Sequence, residues 1–183
     1  MRARLSLLIV ILSPLLPACK GSSPSPELMG GATLAPLDYQ GIQPLHVHEG
    51  ILLAGQPSAE ALEQASLDGL QTVIDLRREE ETPDLDEAAL VNGLGMNYVQ
   101  RQVGRPDDLT PELFAEMRTL LANSKKPLLL HCASSNRVGA VWLVYRATEG
   151  GLTIEEATAE AQMVGLRSKA LMERALEYVR SEG

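Results

Sequence analysis

The sequence predicts an α/β fold with a mostly parallel sheet of four to five strands that helices flank. Short apolar runs alternate along the chain with segments of helical length, an order typical of parallel strands joined by helical crossovers. Several of the runs are apolar throughout, as strands buried on both faces are. Hydrophobic residues make up 45% of the 183 residues, which is enough for one core.

The first predicted elements follow one another from Leu45. The segment "HVHEGILLAG" has the composition of a strand and ends at a Gly-Gln-Pro turn signal. Ser58 is a candidate N-cap for a helix from Ala59 to Asp68, because its hydroxyl can accept from an N–H of the first turn. The segment "QTVIDLR" at 71–77 predicts a buried parallel strand.

The alternation continues towards the C-terminus, and cap residues mark two of the helices. Thr110 is a candidate N-cap with Pro111 at the first helical position, and Thr153 with Glu156 forms a candidate capping box. The remaining predicted elements are a helix at 86–94, strands at 96–103 and 126–132, and helices at 110–123, at 137–149, from 153 onward and at 168–180.

The first 18 residues predict a signal peptide of the lipoprotein type. A short basic start precedes an uncharged apolar stretch that is short for a membrane span, and "LPAC" resembles the bacterial lipobox. In that motif the cysteine is acylated, so Cys19 is the predicted lipidation site and a membrane is a predicted partner. By the same analogy, Lys20 favours the periplasmic face of the outer membrane in a bacterial cell envelope.

Residues 19–44 are rich in Gly, Ser and Pro without an apolar period, which predicts a flexible tether before a domain at 45–183. The formal net charge of −8 argues against nucleic acid as a partner, because binding its backbone needs a basic surface. A local cluster of hydrogen-bond donors can nevertheless bind a small phosphorylated substrate inside an acidic protein.

The one interior cysteine, Cys132, follows an apolar strand and precedes a helix. Ligands of parallel sheets bind beyond the carboxyl ends of the strands, which places Cys132 at the predicted ligand-binding edge. Loop N–H groups and a helix N-terminus can bind an oxyanion there, and Arg137 can hold two of its oxygens. The same field stabilises a thiolate, so Cys132 is a candidate nucleophile. The predicted oxyanion-binding residues are Ala133, Ser134, Ser135, Asn136 and Arg137.

Five stretches of the sequence carry a resemblance to a known family. "HCASSNRVGA", preceded by "KPLLL", resembles the active-site loop of cysteine-dependent protein phosphatases. "GQPSAEAL", "GLQTVIDLRREEE", "GMNYVQRQV" and "DDLTPELF" resemble successive segments of the bacterial dual-specificity-phosphatase-like family. That family, the beta-lactamase-hydrolase-like, phosphatase-like domain, belongs to the protein tyrosine phosphatase superfamily. The resemblance runs from His48 to Tyr145 and implies a cysteine-phosphatase-like fold without cofactor or metal.

By this resemblance the protein hydrolyses a phosphomonoester: a phosphotyrosine, a phosphoserine, or a phosphorylated lipid or sugar. Cys132 attacks phosphorus to form a cysteinyl-phosphate, and Arg137 holds the equatorial oxygens of the transition state. An acid from another loop then protonates the leaving oxygen. The candidates are Asp107 and Asp108 in "GRPDDLT", with Asp108 favoured, and for each the alternative is a role in capping the helix that begins at Thr110.

Two positions depart from the family's pattern. Ser135 stands where glycine is usual, and a left-handed backbone there strains serine by about 1 kcal/mol or more. Val138 stands where a serine or threonine usually follows the arginine and eases departure of the thiolate. The hydroxyl of Ser134 or of Ser135 is the candidate substitute for it.

Two other functions remain open at this point. Four residues separate Cys132 from Arg137, a loop length that rhodanese-type sulfurtransferases share. The segment "VIDLRREEE" also resembles one of theirs, and Cys132 would then carry a persulfide. The "GHIPGA"-like stretch expected soon after that segment is absent. The third function is a catalytically weak module that binds an oxyanion or a phospho-ligand.

Several other polar residues are predicted to be structural. His131 is expected to order the loop through hydrogen bonds, and His46 and His48 to be exposed strand residues rather than metal ligands. Arg77 is expected to form a salt bridge with an acid of "EEE" at 79–81, and "REEE" itself to be a solvated turn.

Overall fold

A computed structural model describes residues 23–81 and 84–182 of the chain. The strands are β1 (Ala35–Pro36), β2 (Leu45–His48), β3 (Ile51–Ala54), β4 (Thr72–Asp75), β5 (Asn97–Gln100) and β6 (Leu128–His131). The helices are α1 (Pro26–Met29), α2 (Ala59–Leu67), α3 (Glu87–Gly93), α4 (Pro111–Asn123), α5 (Asn136–Thr148), α6 (Ile154–Val164) and α7 (Lys169–Glu182). Two 3₁₀ turns lie at Glu79–Glu81 and Pro106–Asp108.

These strands form one sheet in the order β1-β2-β3-β6-β4-β5. The four strands β3, β6, β4 and β5 run parallel, and β1 and β2 are antiparallel at one edge. The predicted α/β fold with a mostly parallel sheet is confirmed. The sheet has six strands rather than four to five, because "HVHEGILLAG" folds as two strands and a further edge strand precedes it.

The extra strands have a local cause that the apolar pattern does not reveal. Glu49 and Gly50 both have a positive φ, 45° and 76°, and join β2 to β3 in a hairpin whose register pairs His48 with Ile51. Two consecutive residues with positive φ are typical of the tight turns that match the twist of a hairpin. Only glycine gives that conformation at no steric cost, so Gly50 is the residue that the turn needs most.

Helices cover both faces of the sheet, and alternate strand residues point to opposite sides. On one side Leu52 and Val73 pack with α2 and α3, and on the other Ile51 and Ile74 pack with α4 to α7. Helix α5 has no exposed residue, and its Trp142 is fully buried. The central strands β3, β4 and β6 are buried at every position, which explains their unbroken apolar runs.

The segment that precedes β2 belongs to the folded domain. Leu28 in α1, Tyr39 and Ile42 are buried in the core on the α2 side. The Tyr39 hydroxyl donates to Asp68 at 2.6 Å. The prediction of a flexible tether over 19–44 is therefore wrong from residue 23 onward, because scattered apolar residues without a period still find places on the core. The predicted signal peptide and Cys19 lie outside the described residues.

Three helix starts follow their predicted caps. Ser58 and Thr110 each accept a hydrogen bond from an N–H of the first turn of α2 and α4, and Thr153 forms its capping box with Glu156. Asp86, which was not predicted as a cap, does the same for α3. Within residues 23–81 and 84–182, no helix is both long and apolar enough to cross a membrane.

His48 differs from its prediction as an exposed strand residue. Its side chain is buried at the end of β2, edge-on to the Trp142 ring, with 5.4 Å between the ring centroids. Arg146 lies 3.0 Å from its Nε2. Burial and the neighbouring Arg146 charge lower the pKa of His48, which favours a neutral imidazole. His48 thus packs against α5. The alternation of side chains along β2 does not predict this contact.

Candidate active site

The loop that carries Cys132 lies at the carboxyl edge of the parallel strands. β4 and β6 end side by side, with Asp75 paired in register with His131. Because neighbouring parallel strands end at one edge, the loops that follow β4, β5 and β6 meet there. These loops, together with the turn between α6 and α7, surround an open cleft of about 330 Å³. The sequence placed Cys132 at this edge, and the structure has it there.

The loop backbone is held to the sheet and still presents N–H groups. The Cys132 N–H donates to the Ala54 carbonyl at 3.3 Å, and Ala133 accepts from the Gln56 N–H at 3.4 Å. Among the hydrogen bonds of the described residues, none uses the N–H of Ser134 or Arg137. Free N–H groups in a loop that opens a helix form an anion-binding surface.

Ser135 has the left-handed conformation expected at its position, with φ 63° and ψ 0°. Its side chain is fully buried, and its hydroxyl has no hydrogen-bond partner in the part of the chain that the structure describes. A Cβ on Gly165 would lie 3.0 Å from the Ser135 Cβ, so Ser135 points towards the end of α6. The backbone of Ser135 shapes the loop, and its hydroxyl lies against that turn.

Arg137 is held by Glu81 and presents one free edge. Its Nη1 and Nη2 donate to the two carboxylate oxygens of Glu81 at 2.8 and 2.7 Å, and Nη1 also donates to the Val103 carbonyl at 2.7 Å. A guanidinium has five N–H donors, so Nε and one N–H of Nη2 remain for a ligand. Those two donors form the planar fork that suits two oxygens of a phosphate.

Arg137 and Glu81 stabilise each other's charged forms. Burial lowers the pKa of Arg137, but its hydrogen bond to Glu81 and its interactions with the Cys132 sulfur raise that pKa above the usual value. The hydrogen bond to Arg137 lowers the pKa of Glu81 to about 2. The prediction that "REEE" is only a solvated turn is therefore wrong for Glu81. Its role depends on a contact between residues 56 positions apart, which no local pattern marks.

The cysteine itself is almost fully buried, at 1% exposed, whereas its loop neighbours Ser134, Asn136 and Arg137 line the cleft. The position of the thiol next to the Arg137 guanidinium brings together the two groups that the sequence singled out. A larger depression of about 610 Å³ lies beside Tyr39 and Ser58, but its lining among the described residues has no cysteine, histidine or basic residue. The smaller cleft is therefore the candidate active site.

Asn136 has a structural contact that its prediction as an oxyanion-binding residue did not include. Its Oδ1 accepts from the backbone N–H groups of Arg167 and Ser168 at 2.8 and 3.1 Å. This side chain therefore ties the start of α5 to the turn between α6 and α7. The backbone N–H of Asn136, rather than its side chain, can therefore contribute to an anion site.

The two candidate acids lie in the 3₁₀ turn beside the cleft, and neither side chain lines it. Asp108 accepts from the N–H groups of Gly104 and Arg105, both at 2.8 Å, and these bonds lower the pKa of its carboxyl. Asp107 is exposed and lies 3.7 Å from Arg174. Asp108 thus caps its own 3₁₀ turn. The alternative that the sequence left open was a role in capping the helix that begins at Thr110.

A buried polar network lies directly before Cys132. His131 Nε2 is 2.8 Å from Glu87, whose other oxygen pairs with Arg77 at 2.5 Å. Arg77 also binds Asp75, and the Tyr98 hydroxyl donates to that carboxylate at 3.1 Å. His131 makes the kind of hydrogen bond predicted for it. Arg77 is in a salt bridge as expected, but its partners are Asp75 and Glu87 rather than an acid of "EEE".

Asp75, Glu87 and His131 are also close enough together to be candidate metal ligands, with their ligand atoms within 4.8 Å of one another. Arg77 already binds both carboxylates and supplies the positive charge that they require. Its guanidinium is fully buried between them, so the donor set is better explained as an ion-pair network than as a metal site.

Comparison with known proteins agrees with this geometry. The chain is similar to Pseudomonas aeruginosa TpbA, with 22% identity, a TM-score of 0.63 and coverage of 82% of this chain and 90% of TpbA. A cysteine-to-serine variant of TpbA in complex with pTyr gives 21% identity, a TM-score of 0.63 and coverage of 81% and 89%. The DUF442 protein of Shewanella putrefaciens CN-32 gives 23% identity, a TM-score of 0.61 and coverage of 79% and 96%.

These similar structures establish the fold, and the match to a family model establishes the family. No curated protein sequence matches the chain. The model of the beta-lactamase hydrolase-like protein, phosphatase-like domain matches residues 45–149, which include Cys132, Arg137 and Glu81. Those residues make up more than half of the chain, so the protein belongs to the family of the beta-lactamase hydrolase-like protein, phosphatase-like domain.

Proposed function

We propose that the protein hydrolyses phosphomonoesters through a cysteinyl-phosphate on Cys132. The observation that carries this proposal is the free Nε and Nη2 edge of Arg137, held by Glu81 beside the cysteine and the unpaired loop N–H groups. A phosphoryl group that accepts from this edge and from the loop has its phosphorus next to the sulfur. Family membership supports the same reaction class.

The reaction then proceeds in two displacements. The Cys132 thiolate forms a bond to phosphorus while the bond from phosphorus to the ester oxygen breaks, and that oxygen leaves with a proton as an alcohol. Water next attacks phosphorus, the bond from sulfur to phosphorus breaks, and inorganic phosphate leaves. Arg137 and the loop N–H groups stabilise the charge on the three equatorial oxygens in both steps.

Asp108 is our proposed proton donor for the leaving oxygen, as the sequence favoured. Its support is position: the turn that it caps includes Gly104, Arg105 and Pro106, which line the cleft. To act as an acid, its carboxyl has to release the N–H groups of Gly104 and Arg105. Asp107 is the second candidate in the same turn.

The two other functions are less well supported. The family is phosphatase-like, which does not favour a sulfurtransferase. A module that only binds a phospho-ligand would use the same loop and Arg137, and it differs from the enzyme only in turnover. The TpbA variant holds pTyr, so a phosphorylated tyrosine is the first substrate to test here.

The decisive experiment measures turnover by the purified full chain. We expect release of phosphate from p-nitrophenyl phosphate, none from Cys132→Ser, and a loss of about 100-fold or more in kcat/KM for Arg137→Lys, because lysine has no planar fork. Arg180→Ala, an exposed arginine of α7, is the matched control. Formation of thiocyanate from thiosulfate and cyanide would favour the sulfurtransferase. Binding of inorganic phosphate without turnover would favour the binding module.

We also propose that the protein is a lipoprotein, anchored through Cys19 at the periplasmic face of the outer membrane. The support is in the sequence: a basic start, an uncharged apolar stretch and "LPAC" before Lys20. We expect metabolic labelling with a radioactive fatty acid to mark the protein in a bacterial host and Cys19→Ser to abolish the label. Cys132→Ser should retain it. Recovery of the unlabelled wild-type protein in a soluble fraction contradicts this proposal.

A further inference from the structure

Three arginines line the cleft although the protein as a whole is acidic. Arg78 and Arg105 line the cleft together with Arg137, and Arg167 lies next to the lining residue Ser168. We propose that Arg105 and Arg167 bind a second phosphate of the substrate, so that the preferred substrates are phosphomonoesters that carry a second phosphate. This inference rests on the proposed function and narrows its substrate class.

Arg105 has donors that the protein leaves free. Its side chain is 80% exposed, and its nearest carboxylate is Asp108 at 3.8 Å, a distance too long for a hydrogen bond. The backbone around it is nevertheless fixed, because Asp108 accepts from the N–H of Arg105 and from that of Gly104. A fixed backbone with a free guanidinium at the cleft is suited to a ligand rather than to an ion pair within the fold.

Arg167 approaches the cleft from the turn between α6 and α7. Asn136 accepts from the Arg167 N–H, and the Arg167 Nη2 lies 3.5 Å from the Ser134 carbonyl in the loop. Among the described residues, no carboxylate lies within 4.0 Å of its guanidinium. The turn therefore places an unneutralised guanidinium beside the loop that contains Cys132.

The charge balance at the cleft has the opposite sign to that of the chain. The formal net charge of the chain is −8, but the residues that line the cleft include three arginines and one carboxylate, Glu81. Glu81 is already paired with Arg137, and Arg78 lies 3.0 Å from Glu80. Among the described residues in and beside the cleft, Arg105 and Arg167 thus have guanidinium donors that no carboxylate accepts from, and they attract substrates with more than one negative charge.

The described residues that line the cleft include no aromatic side chain to bind a ring. The chain has one Trp, four Tyr and one Phe, and none of the six lines it. Leu171 and Val103 are the buried apolar side chains of the lining, at 6% and 0% exposed. Substrate recognition at this cleft therefore depends on charged contacts. The planar guanidinium of arginine suits the oxygens of a phosphate.

The test uses α,ω-alkanediol bisphosphates of two to six carbons and the monophosphates of the same alcohols. For the wild-type protein we expect kcat/KM to be about 10-fold or more higher for the best bisphosphate than for its monophosphate, through a lower KM. Arg105→Ala and Arg167→Ala should each lower this ratio at least about 3-fold. Arg180→Ala, which removes an exposed arginine from α7, should leave the ratio unchanged and controls for net charge.

The outcomes separate this inference from the proposed function. Turnover of the monophosphates without any preference for a bisphosphate overturns the inference and leaves the proposed function standing. A ratio that Arg180→Ala lowers as much as Arg105→Ala does also overturns it, because net charge alone would then explain the preference. Absence of turnover of every phosphomonoester contradicts the proposed function itself.

Discussion

At the scale of single residues, Ser135 combines two unfavourable features in the loop that carries the nucleophile. It has a positive φ without being glycine, and its buried hydroxyl has no partner among the described residues. A strained residue persists where its surroundings determine its conformation, and such residues cluster at functional sites. The family resemblance marked Ser135 correctly, because it implies a glycine, and with it a left-handed backbone, at this position of the loop.

We therefore predict that Ser135→Gly stabilises the protein. Glycine has a left-handed backbone at no steric cost, so we expect the free energy of unfolding to rise by about 1 kcal/mol. The measurement is a urea titration, and Ser134→Gly is the control, because Ser134 is exposed and has no positive φ. A lower stability of Ser135→Gly would show that Ser135 packing against Gly165 outweighs the strain.

Asp108 has a structural contact and a proposed catalytic one. We expect Asp108→Asn to change the free energy of unfolding little, because an amide oxygen can still accept from the N–H groups of Gly104 and Arg105. We also expect a loss of about 100-fold in kcat/KM for an alkyl phosphate but little change for p-nitrophenyl phosphate, whose leaving group needs no proton. The measurement compares both substrates in the wild-type protein and in Asp107→Asn.

The pKa of the Asp108 carboxyl adds a pH dependence. Its backbone hydrogen bonds lower that pKa, so the protonated acid is scarce at neutral pH and becomes more abundant as the pH falls. Turnover of the alkyl phosphate should therefore rise towards acid pH until the protein loses stability. Equal loss for both substrates would remove Asp108 as the proton donor and leave Asp107 to be tested.

At the scale of structural elements, the turn after β4 depends on the loop after β6. Glu81 in the first binds Arg137, at the start of α5, in two hydrogen bonds. The Glu81 side chain is 21% exposed, so this ion pair is partly shielded from water. Its strength governs both the position of Arg137 and the order of the turn, which is why one substitution should change stability and activity together.

The pH dependence of stability tests this pair. The pKa of Glu81 falls to about 2 in the folded protein from its usual value near 4.3, so the pair stabilises the fold above about pH 5 and is lost towards about pH 2. We predict that Glu81→Gln lowers stability at pH 7 and reduces the loss of stability between about pH 5 and pH 2. Urea titrations at several pH values measure it.

Glu80→Gln is the matched control, since Glu80 is 64% exposed and its one ion pair within residues 23–81 and 84–182 is with Arg78. It should leave the slope of stability against pH close to that of the wild-type protein. The same slope in Glu81→Gln as in the wild-type protein would mean that other carboxylates determine acid unfolding.

Element by element, the sequence predicted what local chemistry determines and missed what distant contacts determine. The caps at Ser58, Thr110 and Thr153 and the parallel strands follow from patterns within a few residues. The hairpin turn at Glu49 and the contact of Glu81 with Arg137 depend on backbone conformation and on residues far apart in the chain. Cys132 and Arg137 lie in one motif, so the centre of the site could be predicted from sequence, whereas Glu81 could not.

At the scale of the whole molecule, residues 23–44 pack against the rest of the domain and contribute buried side chains to its core. Leu28 is fully buried against the α2 side of the sheet, and Gly69 has Pro24 so close that a Cβ would lie 2.8 Å from the Pro24 Cα. The sequence predicted a tether here because isolated apolar residues among Gly, Ser and Pro show no period. Their burial depends on a surface that the rest of the chain builds.

We predict that Leu28→Ala destabilises the domain by about 2–5 kcal/mol, the usual cost of deleting a buried leucine side chain. Met29→Ala is the control, because Met29 is 37% exposed and its loss should cost much less. Thermal unfolding of both variants measures the difference. Equal melting temperatures for the two variants would support the tether that the sequence first predicted.

The folded N-terminal segment also limits how far the enzyme can travel from a membrane. With a lipid on Cys19, as we propose, four peptide units lead from the anchor to residue 23, a span of at most about 14 Å. A flexible tether over all 26 residues of 19–44 would have a span of about 90 Å at full extension. The cleft would then reach only the layer of solvent next to its own bilayer. Phosphorylated molecules that never approach that layer would not be substrates.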